Sequence, residues 1–417
     1  MKWNRTGSGL KALAVSLAVG LGMTACSRDY TLGYLYVTSA TRSTTGVING
    51  YAFDYQTGAL NQLADSPEPS GGSNPVTLVA SPSGKFLYVL NHDTSTVVEF
   101  GIGTDGKIYP ANTYNVVKNT AGTFIGSFPT AAAIDPTGAF LYVTFTYQNG
   151  FTTASPGAGG VATFPINTDG SLGNPLTTTV AGVALPYTPV GDNPVGIAVN
   201  PKGGFVYVID QEKPTSGSPF GVLLAFTANT TTGALTSVPG TVVGGTGPLG
   251  FAAGTNPSAI AEDPLGKFIY ITDQTTNQLY GYTALNGGAP VAINSSPFTT
   301  GLFPLSVTVD PRGTFVYVAN FGSSTVSTYA VNQATGALSG TAAGTAVATG
   351  PTCVTIEPAR GIYLYTSNNT DNSVSGEQLS PNTGALTPIQ GTQFSAQALP
   401  TCAVAVANGA HPTQIVR

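Results

Sequence analysis

From Tyr34 onward, apolar and polar residues alternate in short runs broken by Gly, Pro, Asn or Asp, and one phrase keeps returning. It reads Pro, a short apolar run, x-Pro-x-Gly, aromatic-x-Tyr-Val, then Asn or Asp. Its turn stands as Ser81-Pro82-Ser83-Gly84, Asp135-Pro136-Thr137-Gly138, Asn200-Pro201-Lys202-Gly203, Asp263-Pro264-Leu265-Gly266 and Asp310-Pro311-Arg312-Gly313, with a looser copy at Glu357-Pro358-Ala359-Arg360-Gly361. The run that follows carries Tyr88, Tyr142, Tyr207, Tyr270, Tyr317 and Tyr365, each two residues after another aromatic. Tyr34-Leu35-Tyr36-Val37 is a seventh copy without its turn. Period-two alternation of β-branched and aromatic residues, bounded by turn formers, predicts antiparallel strands. Pro presets φ and Gly accepts positive φ, so x-Pro-x-Gly predicts tight turns.

A second alternating run follows each Tyr-bearing one and ends near an aromatic: Tyr51, Phe100, Phe164, Phe226, Tyr282 and Tyr329, with Gln378 expected there in the seventh unit. A Gly turn comes next, as in Thr335-Gly336-Ala337-Leu338. Four strands per unit, in units 47 to 65 residues apart, predict an all-β chain folded as a seven-bladed β-propeller of four-stranded antiparallel blades. The chain enters at the second strand of a blade. Its end, Pro400-Thr401-Cys402-Ala403-Val404-Ala405-Val406, mimics the inner-strand segment Pro129-Thr130-Ala131-Ala132-Ala133-Ile134. The C-terminal strand is therefore expected to complete blade 1, which also removes a sheet edge.

The first residues carry a different pattern. Lys2, Arg5 and Lys11 flank an apolar run from Leu10 to Gly22, and Met23-Thr24-Ala25-Cys26 follows. A charged start, a short apolar segment and small residues before a cut site predict a secretory signal, and the run is too short to span a bilayer comfortably. The cysteine in that place resembles a bacterial lipobox. That implies lipidation at Cys26 and an anchored rather than spanning protein, with Ser27 favouring the outer over the inner membrane. The expected organisation is 1–25 signal peptide, 26–33 anchored linker, 34–408 propeller and 409–417 tail. Composition agrees with export. Charged residues are 8% of the chain, far below an ordinary soluble domain, and loss of the signal leaves 11 Lys+Arg against 19 Asp+Glu. This acidic balance excludes nucleic acid as a partner and leaves a small polar ligand or another protein, with membrane contact only through the anchor and a monomer expected.

The strings DPRGTFVYVANFGSSTVSTYAVNQATGAL and SPSGKFLYVLNHDTSTVVEF resemble the lactonase-type seven-bladed propellers, which include 6-phosphogluconolactonase-like proteins, and the related YVTN-repeat surface propellers. The resemblance covers about residues 31 to 408 and rests on turn and strand motifs. It implies catalysis by His, Glu and Arg side chains at one mouth of the central channel. That set does not map here, because the mature chain holds only His92 and His411 and few arginines outside turns.

In a propeller, the x-Pro-x-Gly turns lie on one face, and Asp or Asn before Pro is ordinary turn chemistry. Candidate function falls on the other face, where longer loops sit on a rigid scaffold. It carries Asn91-His92-Asp93, Asp210, Glu212, Lys213, Asp273, Asn320 and Asn368 after the Tyr-bearing strands. Asn74, Asp192, Asn193 and Asn256 precede the inner strands, and Arg42 lies nearby. The longest insertions, Phe145 to Gly160, Gln211 to Gly221 and Thr241 to Thr255, belong to this face. The catalytic candidates are His92, as a general base, with Asp93, Asp210 or Glu212 beside it. The ligand-binding candidates are Arg42, Asn91, Asp192, Asn193, Lys213, Asp273, Asn320 and Asn368. Against each stands the plainer reading of a loop histidine or a strand-ending turn cap. No His cluster, Cys-x-x-Cys or EF-hand spacing is present. No cofactor is expected, and the only metal kept open is Ca²⁺ on Asp and carbonyl oxygens. Cys353 and Cys402 occupy equivalent Pro-Thr-Cys positions on inner strands of neighbouring blades, as a disulfide or as two small buried groups. Function is read as a lipid-anchored extracytoplasmic binding module, with a hydrolase opening a sugar or acyl lactone as the alternative.

Overall fold

The computed structural model of the protein describes residues 30–41, 45–118, 124–148, 158–180, 182–211, 221–238, 250–284, 289–409 and 413–416, and every regular element among them is a β-strand. Seven antiparallel sheets stand in a ring, and a two-stranded hairpin, Thr178–Val180 with Val183–Leu185, lies outside them. The inner strands, blades 1 to 7, are Leu399–Ala407, Pro75–Ala80, Phe124–Ile134, Pro194–Val199, Pro257–Glu262, Pro304–Val309 and Pro351–Ile356. Each touches the next around the whole circle. Blade 1 takes its inner strand from the end of the chain: Thr31–Ala40 pairs with Leu399–Ala407, from Gly33↔Ala407 to Ala40↔Leu399. The expected closure is present.

Strand side chains point alternately to the two faces of a sheet, so each blade buries one set of residues against the preceding blade and one against the following blade. The buried apolar residues accordingly fall into seven clusters, one in each seam between blades. Blades 1 and 2 share Tyr34, Tyr36, Ile48, Val89 and Phe100, for example, and blades 7 and 1 share Tyr363, Tyr365, Leu35 and Phe53.

The repeated tyrosine has a structural task. In five blades its hydroxyl donates to a glycine carbonyl in the third-to-fourth-strand turn of the following blade: Tyr36 to Gly106, Tyr88 to Gly170, Tyr270 to Gly336, Tyr317 to Gly384 and Tyr365 to Gly58, at 2.6 to 3.0 Å, whereas the Tyr207 hydroxyl has no partner among the described residues. The aromatic two residues earlier covers the same glycine. A methyl group on Gly58 would overlap the Tyr363 ring, and one on Gly336 the Phe268 ring, and both glycines have positive φ, 69° and 75°. Burial raises the pKa of these tyrosines, Tyr36 and Tyr317 most among those with a resolved magnitude, so they stay protonated donors.

The turn acids are bound into their own turns. Asp135 accepts from the Phe140 N–H at 2.7 Å, Asp310 from Phe315 at 2.8 Å, and Glu357 from Ala359, Arg360 and Ile362. At the other face, hydroxyls just after the opening proline of an inner strand stitch blades together. Thr130 donates to the Pro194 carbonyl, Ser258 to Pro304, Thr352 to Pro400 and Thr401 to Pro75.

One sequence expectation shifts by a residue. Tyr51, Phe100, Phe164, Phe226, Tyr282 and Tyr329 pair with Leu35, Leu87, Leu141, Val206, Ile269 and Val316. In blade 7 the matching residue, opposite Leu364, is Glu377 and not Gln378. The reason is the pleat: Gln378 points to solvent while Glu377 enters the seam. Glu377 is 1% exposed, its Oε2 has no partner among the described residues, and burial raises its pKa to about 7.

Candidate functional site

The loop-side mouth of the channel is built from two residues per blade. One precedes the opening proline of the inner strand, and the other follows the second strand. In five blades the same backbone bond ties them, the second N–H donating to the first carbonyl: His92 to Asn74, Gln211 to Asn193, Gln274 to Asn256, Phe321 to Phe303 and Asn369 to Gly350. Phe128 and Thr146 hold these places in blade 3, and Leu399 pairs with Ala40 in blade 1. Of these fourteen residues His92 alone is titratable. The other thirteen are amide, hydroxyl, aliphatic and aromatic residues or glycine.

Two of the aromatics are held in a left-handed backbone. Phe128 has φ 61° and Phe303 φ 53°, a conformation costly for a bulky side chain. Each is fixed from the preceding blade. The Phe128 N–H donates to Ser95 Oγ at 3.1 Å, and the Phe303 N–H to Asn277 Oδ1 at 2.7 Å. Both rings reach the surface, Phe303 being 43% exposed and Phe128 half-buried. Blades 3 and 6 stand as nearly opposite as seven blades permit. Blade 3 also rises above its neighbours, because Phe124–Ile134 and Phe140–Gln148 stay paired as far as Gly126↔Gln148.

His92 belongs to the blade 3 side of this mouth. Its ring stacks on Phe128 with centroids 4.9 Å apart, and Phe128 meets Tyr147 edge-on at 5.7 Å. His92 Nδ1 lies 2.6 Å from Asp93 Oδ1, and Asn74 donates to the same oxygen at 3.2 Å. Burial tends to raise the Asp93 pKa, but the hydrogen bonds from His92 and Asn74 outweigh it and hold the carboxyl below its ordinary value. An ionised Asp93 accepts the proton on Nδ1 and leaves Nε2 as the basic nitrogen. This is the arrangement of an oriented general base, with His92 side-chain exposure of 32%.

The remaining candidates separate by burial. Asn91, Asp210, Asp273, Asn320 and Asn368 are all 0% exposed, and the structure sets each beneath its loop. Asn91 exchanges hydrogen bonds with Ser70, and Asp210 accepts from the Asn193 N–H. Asp273 accepts from the N–H groups of Thr255, Asn256, Thr275 and Thr276. Asn320 donates to Ser327 and Thr325, and Asn368 to Ser373 and Ser375. They shape the mouth from below. Asn193 lies at the rim with its amide on Gln211, and Asp192 is exposed beside it. Arg42, Glu212, Lys213, Cys26 and His411 lie outside the described residues, as does much of the three long insertions. Among the described residues no group of three or more His, Cys, Asp or Glu is placed to hold a metal ion, and no helix is long and apolar enough to cross a membrane.

Sequence reasoning passed over Phe128, Phe303, Phe321 and Tyr147. A signal existed: Asn74, Asn193 and Asn256 drew notice as residues before inner-strand prolines, and Phe128 and Phe303 occupy the same place. It also passed over Glu262, at the turn-side end of the blade 5 inner strand. Burial first, and then the Asp263 charge, raise its pKa to about 8 against a hydrogen bond from Asn200 at 2.5 Å. Cys353 and Cys402 face each other across the closing seam with Cα atoms 4.9 Å apart and sulfurs in bonding contact, inside the range a disulfide requires.

Comparison with known proteins places this architecture. No curated protein matches the chain. Among solved structures it is similar to a 6-phosphogluconolactonase, itself so described only provisionally, from Bacteroides fragilis (19% identity, TM-score 0.67, 91% of this chain and 99% of that one). It is also similar to the periplasmic gluconolactonase of Pseudomonas aeruginosa (18%, TM-score 0.66, 90% and 99%). These likenesses are of fold. The family model described as Lactonase, 7-bladed beta-propeller, matches residues 34–185 and 223–356, more than half of the chain. The protein belongs to the seven-bladed β-propeller lactonase family.

Proposed function

We propose that the loop-side mouth binds an uncharged, ring-shaped polyhydroxy compound, a sugar or sugar lactone, in a propeller carried outside the cytoplasm by a lipid on Cys26. The observation that supports this reading is the chemistry of the rim: Phe128 and Phe303 in costly backbone conformations and reaching the surface, with amides and hydroxyls between them and His92 as the one titratable group among the fourteen residues. Aromatic faces bury the C–H face of a sugar ring, and amides and hydroxyls serve its hydroxyl groups. A phosphorylated or carboxylated sugar needs arginine or lysine, and the fourteen rim residues include neither. Calorimetry on the chain from Ser27 onward, with gluconolactone, glucose and gluconate, tests the reading. The lactone and glucose are expected to bind and gluconate to bind more weakly; binding of gluconate alone, or of none of the three, overturns it.

A second reading has its own support in the His92–Asp93 contact of 2.6 Å. Nε2 of His92 would take a proton from water as its oxygen attacks the lactone carbonyl, and the ring C–O bond would break with the proton passing to the leaving oxygen. Proton release from a lactone panel, lost in His92→Ala, supports hydrolysis. A flat trace with intact binding leaves binding alone.

A further inference from the structure

The outer edge of the seam between blades 1 and 2 opens into a cleft of ≈ 220 Å³, walled by Tyr36, Ile48, Gly50 and Leu63 of blade 1 and Ile108 and Tyr109 of blade 2. The register of the outer strands shows what is missing there. Leu223 pairs with Phe251, Leu279 with Phe298 and Val374 with Phe394, but Ile48 pairs with Glu68. In blades 5 and 7 the phenyl ring lies over a glycine of the third strand. A methyl group on Gly281 would sit 3.4 Å from Phe298, and one on Gly376 3.3 Å from Phe394. The matching glycine of blade 1, Gly50, has Leu63 and Tyr36 as its nearest neighbours, with no phenyl ring from the outer strand, and lines the cleft. The space is the shape of an absent ring, and apolar cavities of about 150 Å³ already accept benzene.

The rim adds charge. Lys107 and Asp65 pair at 2.6 Å, whereas the Glu68 side chain has no hydrogen bond or ion pair among the described residues. Glu68 also lines the cleft and is half-buried. One carboxylate is therefore left facing a ring-sized apolar space, where it attracts a cation that brings its own apolar group.

We propose that this cleft is a ligand site for a protonated amine carried on an aromatic ring. The ring takes the place that Phe298 fills between blades 5 and 6, and the ammonium faces Glu68. The site is separate from the channel mouth and independent of what the mouth binds. The probes are phenethylamine and its neutral counterpart 2-phenylethanol, titrated into the chain from Ser27 onward and followed by amide shifts of Gly50 and Gly106. Phenethylamine is expected to move both signals and to bind roughly fivefold tighter than the alcohol. Glu68→Gln is expected to erase that preference while keeping ring binding, and Glu68→Phe to abolish binding of both probes by filling the space. Silence of Gly50 and Gly106 with both probes, equal binding of amine and alcohol, or undiminished binding to Glu68→Phe overturns the proposal.

Discussion

The seam that closes the ring and the seam beside it are made from the same repeat and end up unlike. Between blades 7 and 1, Tyr365 bonds Gly58 and Tyr51 bonds the Ser395 carbonyl. Thr352 and Asn369 reach Pro400, the Phe394 ring fills the outer edge, and Cys353 meets Cys402. Between blades 1 and 2 the tyrosine bond and the hydroxyl stitch are kept, Tyr36 to Gly106 and Thr401 to Pro75. The outer ring, however, is replaced by Glu68 and a cleft. The repeat thus carries the same two contacts into both seams. The seam between blades 7 and 1 carries more, and it holds in place the strand Leu399–Ala407, which meets Thr31–Ala40 of its own blade by strand pairing without a direct chain connection.

The largest expected effect comes from removing the surplus. Cys402→Ser, or reduction of the bond we propose between Cys353 and Cys402, frees a loop spanning 49 positions and is expected to cost about 4 kcal/mol. The measures are chemical denaturation and a free-thiol count with and without reductant. Two protected thiols that appear only on unfolding, without reductant, would show that packing alone does the work.

The adjacent seam between blades 6 and 7 supplies a pH test. Glu377 has a raised pKa, so below its ordinary 4.5 both folded and unfolded chains hold the proton and the group is neutral to stability. Between there and about 7 the unfolded chain releases its proton first. Stability therefore falls as pH rises, by about 3 kcal/mol above pH 7. Glu262, raised to about 8, extends the decline in the same direction. Denaturation curves from pH 4 to 8 are expected to show this fall, and Glu377→Gln is expected to remove its share and leave the larger share that belongs to Glu262.

A smaller loss should be equal in both seams. Gly58→Ala and Gly106→Ala each place a methyl group against an aromatic ring at positive φ and are each expected to cost about 2 kcal/mol. A much smaller cost for Gly106 would mean that the open seam is loose throughout and not only at its outer edge. Smaller still, and opposite in sign, Glu68→Phe is expected to add about 1 kcal/mol by filling the cleft. Last, Phe128→Ala and Phe303→Ala touch no seam core. They are expected to shift stability by less than about 1 kcal/mol while weakening ligand binding at the mouth roughly tenfold, a result calorimetry reads directly.

The sequence by itself determined the architecture. Aromatic-x-Tyr, x-Pro-x-Gly and the Thr-Gly-Ala-Leu turns recur because every blade must solve the same local problem, and a tyrosine needs a turn glycine in the next blade to bond. Strand closure by Pro400 to Val406 was legible for the same reason, as one more copy of an inner strand. What only the tertiary structure decided lies where copies differ. Whether a residue after a strand faces the seam or the water depends on a single step of the pleat, which is why Glu377 and not Gln378 is buried. Asn91, Asp210, Asp273, Asn320 and Asn368 read as surface candidates, yet each turns inward beneath its loop, because the unpaired N–H and hydroxyl groups of that loop need a buried acceptor or donor. The stacking of His92 on Phe128 and the ring-shaped cleft at Glu68 join side chains from separate blades. No local pattern reports such distances, since they are set only when seven seams close at once.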